Sequence, residues 1–214
     1  MRVTAIERQP RRRRANVHLD GRFALALSLE VLAQAGLHPD DEVSEARIEE
    51  LRQAEARHTA VASALRLLSY RPRSEAELRQ RLARRGTPSP IVDETITRLR
   101  DLGLVNDETF ARSWVENRDH TSPRSRRLLA LELRNKGVAR PIVQDSLATL
   151  DEDDAAYRAA ARRARSLASL PYTDFRRRLS DLLRRRGFGY ETARSTVARL
   201  WEEVAQHRPR TTDE

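Results

Sequence analysis

The sequence predicts a mainly α-helical protein: three tandem three-helix repeats in an elongated, curved array, preceded by a small α+β N-terminal module with a β-hairpin. Three observations predict it. Gly86, Gly137 and Gly187, each behind a basic residue (Arg85, Lys136, Arg186), recur with a period of about fifty residues, the mark of an internal repeat. Apolar residues hold register with these glycines: Leu78/Leu82, Leu129/Leu133 and Leu179/Leu183 before them, Ile96/Leu99, Leu147/Leu150 and Val197/Leu200 after them. From Ala60 onward the apolar spacing is helical throughout. Each glycine then reads as a left-handed helix stop, with a cation on the negative end of the helix dipole. The period divides the chain into 1–58, 59–106, 107–154, 155–206 and a frayed tail, 207–214.

In the N-terminal module, Val17–Leu19 and Phe23–Leu27 alternate about Asp20-Gly21, a two-residue hairpin signal. Arg2–Arg8 is a weaker strand candidate. The Arg11–Arg14 run is either a phosphate contact or, more commonly for such runs, a solvated loop. Ser28 caps a short helix that stops at Gly36, and Ser44 opens another through Ile48 and Leu51. Glu55 and His58 interrupt that apolar line, which predicts a joint near Glu55–Thr59.

The first repeat uses Val61, Leu65 and Leu68, a turn at Arg71–Arg73, and Ser74 with Glu77 as a capping box before Leu78 and Leu82. Pro88 and Pro90 precede its third helix, which Gly103 closes. In the second, Asn106 caps a helix carrying Phe110, Trp114 and Val115, His120–Pro123 turns, and Pro123 is available at the first position of the next helix. Pro141 opens the third. The acidic run Asp151–Asp154 separates the last repeat, with helices over Ala156–Leu170, Phe175–Arg186 and Tyr190–Ala205.

Composition narrows the function. The 214 residues are 39% hydrophobic, 5% aromatic and 34% charged, so the core is thin and the helices well exposed. Absence of cysteine excludes a disulfide framework and fits a reducing compartment. With no apolar run of membrane-spanning length, the expected location is the cytoplasm. Net charge is +9, unevenly spread: balanced over 1–58, basic over 59–106, slightly acidic over 107–154 and most basic over 155–214. A basic surface attracts nucleic acid or an acidic protein.

The inventory does not suggest an enzyme. His18, His38, His58, His120 and His207 are scattered without metal-ligand spacing, no phosphate-cradling glycine loop is present, and no cofactor is expected. The candidate contacts are arginines. Arg177 and Arg184, two turns apart with Arg178 and Arg185 beside them, form a ladder able to follow a phosphate backbone, or a solvated face. Arg118, Arg124, Arg126 and Arg127 gather about a helix start, where charge and backbone N–H groups together suit a phosphate or a carboxylate. Lys136, the only lysine, joins them as a candidate contact. Phe110 and Trp114 read as core.

The central stretch GLVNDETFA, followed by Arg118 and LELRNKG, resembles the signature of the RecX family, regulators of the RecA recombinase. RSEAELRQRLARRG and LLRRRGFGYETA resemble its flanking motifs, so the resemblance spans about Ala60–Val204. Two departures, Asn106 for an acidic residue and Thr121–Pro123 for a glycine-containing turn, keep the same local chemistry. The resemblance implies an inhibitor of RecA that occupies the groove of the RecA–DNA filament and hinders its ATP turnover, strand exchange and SOS activity; with no clear heptad in the sequence, a monomer is expected. Single- or double-stranded DNA would be a weak, non-specific second partner. The alternative is a non-specific DNA-binding or transcription-associated protein acting without RecA.

Overall fold

The computed structural model describes residues 1–206, among which a three-stranded sheet is followed by ten helices. The tail expected at 207–214 lies outside the described residues. The chain forms two units: Met1–Arg73 with Glu77–Val105, and Ser74–Ala76 with the chain from Asn106 onward.

In the first unit, β1 (Val3–Arg8), β2 (Arg14–Leu19) and β3 (Arg22–Ser28) form an antiparallel meander in that order. Asp20 and Gly21 take φ of 48° and 80°, the two-residue turn whose twist matches its strands. The weaker candidate is a full strand, registered from Val3 against Leu19 to Arg8 against Ala15. Ser28 caps α1 (Leu29–Ala35) by accepting from the Val31 N–H, and Gly36 ends it.

Ser44 opens α2 (Glu45–Tyr70), which runs 26 residues without a break. No break in the helix therefore marks the joint predicted near Glu55–Thr59. Glu55 interrupts the apolar line but lies on the buried face, where it accepts the Ser28 N–H at 2.7 Å and meets Arg14 at 3.1 Å. A carboxylate satisfied in this way does not stop a helix. One helix thus serves two cores: Ile48 and Leu51 face the sheet, Ala64 and Leu67 the first repeat. The buried stripe in that repeat is Ala60, Ala64 and Leu67; of the predicted Val61, Leu65 and Leu68, Leu68 packs half-buried against the core and Leu65 is 42% exposed. The helical phase is one residue off the sequence reading because small alanines, not the larger residues beside them, line the contact. Leu78 and Leu82 of α3 (Glu75–Ala83) and Val92, Ile96 and Leu99 of α4 (Ser89–Asp101) complete that core.

The second unit contains α5 (Asp107–Thr121), α6 (Arg126–Asn135), α7 (Arg140–Leu147), α8 (Glu152–Ser166), α9 (Tyr172–Arg185) and α10 (Tyr190–Gln206). Asn106 caps α5 by accepting the Thr109 N–H, as predicted. Pro123 is not the first residue of α6: Ser125 caps that helix and Pro123 stays outside. The acidic run is a helix start, since Asp151 accepts from the N–H groups of Asp153 and Asp154. Each repeat here has its own cluster, one around Phe110, Leu129 and Leu133 and one around Phe175, Leu179 and Leu183.

Between these two repeats the joint is polar. The Gly187 N–H donates to the Arg184 carbonyl and the Phe188 N–H to the Leu183 carbonyl, a Schellman end for α9 with Gly187 at φ +87°. A side chain there would stand 2.5 Å from Ser125 Oγ and 2.9 Å from Leu128 Cβ. Arg186 binds across the joint, its carbonyl accepting the Ser125 N–H and its Nη1 donating to the Pro123 carbonyl. Arg158 Nη2 also donates across it to both carboxylate oxygens of Asp119, at 2.7 and 2.8 Å.

Candidate nucleic-acid and partner interface

The most basic surface lies on the last repeat, and its origin is the pattern of α9. Phe175, Leu179 and Leu183 recur every fourth residue and are fully buried, so the intervening arginines are turned outward. On α8 the buried stripe is entirely alanine (Ala156, Ala160, Ala164), which brings the helix close and leaves Arg162 and Arg163 on its rim. The two helices enclose an open groove of about 710 Å³ lined by Arg162, Arg163, Arg177, Arg178, Arg185 and Arg186, with Asp181 among them.

The predicted ladder divides over two grooves. Arg178 and Arg185 face α8; Arg184 instead lines a second groove of about 780 Å³ between α9 and α10, with Arg176, Arg194, Tyr172 and Tyr190. Arg177 borders both. Arg177 pairs with Asp174 at 2.8 Å and Arg184 with Asp181 at 3.0 Å, exposed pairs that exchange readily for a phosphate. Arg162, Arg163, Arg178 and Arg185 are exposed and have no ion pair among the described residues. Sequence reasoning missed Arg162, Arg163 and Arg186; for the first two the available signal was the alanine stripe of α8, which fixes the side from which they project. Burial, and after it the charge of Arg124, lower the pKa of Arg186 below the ordinary arginine value.

In the central repeat the predicted cluster is largely committed inside the fold. Glu132, on α6, accepts from Trp114 Nε1 at 2.9 Å, from Arg118 Nε at 3.1 Å and from Arg124 Nη1. The Arg118 guanidinium and the Lys136 ammonium each lie over the Trp114 ring, 4.7 and 4.2 Å from its centroid, so the half-buried tryptophan is held by two cations and a carboxylate. Arg126 donates to the Leu150 carbonyl at the end of the third helix of that repeat. Arg127 alone of the group is exposed without an ion pair among the described residues. At this helix start the Ser125 N–H is taken by the Arg186 carbonyl and the Leu128 N–H by Ser125 Oγ. Phe110 is core, 5% exposed.

Among the described residues no group of His, Asp or Glu has the arrangement of a metal site, and no helix is long and apolar enough to cross a membrane. What the geometry offers is two arginine-lined grooves in the last repeat, next to a central repeat whose Arg118 and Arg124 are paired with Glu132.

Comparison with known proteins gives these repeats a family. Residues 1–44 match the model of the regulatory protein RecX N-terminal domain, and 60–99, 106–147 and 151–197 match the RecX first, second and third three-helix domains. The stretch between the first two matches is the opening half of α2. Regulatory protein RecX of Streptomyces coelicolor is 33% identical over 177 residues, 81% of this chain and 87% of the relative. That of Mycobacterium sp. (strain KMS) is 41% identical over 145 residues, 64% of this chain and 79% of the relative. The crystal structure of a regulatory protein RecX superposes with a TM-score of 0.66 at 25% identity, covering 94% of this chain and 98% of its own. The RecX structure from Lactobacillus salivarius gives 0.61 at 25% identity, over 69% and 97%. With all four domain models matched in order along the chain, the protein belongs to the RecX family of regulatory proteins.

Proposed function

We propose that this protein regulates RecA, as an inhibitor that binds in the groove of the RecA–DNA filament and slows its ATP turnover, strand exchange and SOS activity. The observation that carries the reading is the α8–α9 groove, where Arg162, Arg163, Arg178 and Arg185 are exposed without an ion pair among the described residues and project from two packed helices. Such a groove follows a phosphate backbone without reading bases, since guanidinium-to-phosphate contacts position a protein but carry no sequence information. On a filament, DNA would engage this groove while the protein subunits meet other faces of the chain. Regulation then needs no chemistry of the protein's own, only occupancy. The protein acts as a cytoplasmic monomer in this reading, with naked DNA a weak and non-specific ligand.

The test is the ATPase of RecA on single-stranded DNA, measured with and without the full-length chain, beside its binding to the same DNA without RecA. A fall in turnover at protein concentrations that leave naked DNA unbound is expected. Unchanged turnover with equally tight binding to bare DNA would replace this reading by that of a DNA-binding protein acting without RecA.

A further inference from the structure

The one buried side-chain polar atom without a hydrogen-bond partner among the described residues is Nη1 of Arg73. Arg73 lies in the turn between α2 and α3, 8% exposed, and donates its Nε to the Leu67 carbonyl at 3.0 Å. A guanidinium donor that has lost water without gaining an acceptor is costly, so its persistence calls for a ligand.

The fifty-residue register identifies what is missing. Aligned on Gly86 and Gly137, Pro72, Arg73 and Ser74 occupy the positions of Pro123, Arg124 and Ser125. In the second repeat Arg124 gives its Nη1 to Glu132. In the first repeat the place of Glu132 is held by Arg81. The third repeat has Asp174 and Leu182 at these two places, and therefore no guanidinium to satisfy. The first repeat alone keeps the cation and replaces its acceptor by a second cation. The neighbouring carboxylate, Glu77, is held by both terminal nitrogens of Arg71, at 3.1 and 2.8 Å. Desolvation, then the charges of Arg71 and Arg81, lower the pKa of Arg73 below the ordinary arginine value, with Glu77 opposing. Arg81, which stands at the place of Glu132, is exposed.

We propose that Arg73 and Arg81 form a receptor for a carboxylate side chain of a protein partner, which takes the position that Glu132 takes in the second repeat. The planar fork of Arg73 matches a carboxylate, and the chain's own equivalent site is filled by one. The inference deepens the regulatory reading by naming the chemistry with which a protein partner is held; the site itself stands apart from that partner's identity.

The experiment is thermal unfolding of the full-length protein in sodium acetate, sodium phosphate or sodium chloride at matched ionic strength. Acetate should raise Tm by about 3 °C over chloride and saturate, as binding to the folded state requires. Arg81→Glu, which supplies the acceptor from within the chain, should raise Tm in chloride and abolish the acetate increment. Arg73→Met, which removes the donor, should abolish the increment as well and keeps the test open if Arg81→Glu does not fold. Equal acetate increments in the parent and in either variant would mean a general salt effect and overturn the proposal. An increment with phosphate and none with acetate would overturn it in favour of a phosphate ligand. These readings involve no RecA, so a parent protein that shows the acetate response yet leaves RecA turnover unchanged refutes the RecA reading and not the site.

Discussion

The backbone N–H of Ser125 donates to the carbonyl of Arg186 at 3.1 Å, so the start of α6 is capped by the end of α9. A helix start needs acceptors and a helix end needs donors, so placing one against the other satisfies both. The same contact explains why the glycine beside Arg186 cannot carry a side chain.

Gly187→Ala should therefore destabilise more than Gly86→Ala. Both glycines have positive φ, which costs alanine about 1–2 kcal/mol, but only Gly187 is crowded, by Ser125 and Leu128. Calorimetric unfolding of the two variants measures the difference. Equal losses would mean that α6 moves aside at no cost.

Phe110→Ala should destabilise by roughly 3–5 kcal/mol, through lost transfer energy and the cavity left behind. Arg127→Ala should leave stability within about 0.5 kcal/mol, the usual range for exposed sites, while weakening inhibition of the RecA ATPase. Arg126→Ala should differ from Arg127→Ala by lowering Tm, because Arg126 satisfies the Leu150 carbonyl. Urea unfolding alongside the ATPase assay separates the three.

Glu132→Gln removes the charge that gathers Trp114, Arg118 and Arg124. A loss of about 1.5–3 kcal/mol is expected for hydrogen bonds to a charged group, together with a change in tryptophan emission as Trp114 exchanges a charged acceptor for a neutral amide. An unaltered spectrum and unaltered stability would show the cluster to be only a surface arrangement.

Arg178→Ala with Arg185→Ala should weaken binding to DNA and to the filament without lowering Tm. The slope of log affinity against log salt should fall in magnitude by about one unit for each phosphate no longer bound. An unchanged slope with an intact fold would reduce these arginines to solvated charge.

A chain beginning at Thr59 should keep a cooperative helical transition. It retains Ala60, Ala64 and Leu67, whereas Ile48 and Leu51, which face the sheet, lie in the removed half of α2. Circular dichroism during heating reports this directly. A broad, non-cooperative melt would mean that the first repeat needs the whole helix.

Most helix limits were legible in the sequence because capping is local. Ser28, Ser44 and Asn106 reach N–H groups three residues away, and the glycines after Arg85, Lys136 and Arg186 need only a left-handed backbone. The repeat was legible for the same reason, since its leucines follow helical spacing within a single element. The phase of α2 was not, because Val61 and Ala60 are both apolar and only the surface that packs against them selects the stripe. Nor was its continuity, because Glu55 looks like a break until Arg14 and Ser28 are brought to it.

By itself, then, the sequence determined the family, the three-helix repeat with its register, and a surplus of arginine in the last repeat. Only the tertiary structure decided which arginines are engaged and which are available. Arg118 and Arg124 are held by Glu132 and Arg186 by Pro123, whereas Arg162, Arg163, Arg178 and Arg185 line an open groove and Arg73 is buried one acceptor short. The reason is physical: a guanidinium reaches far and bonds in any direction its neighbours allow, so its partner is set by what folding places beside it and not by its place in the chain.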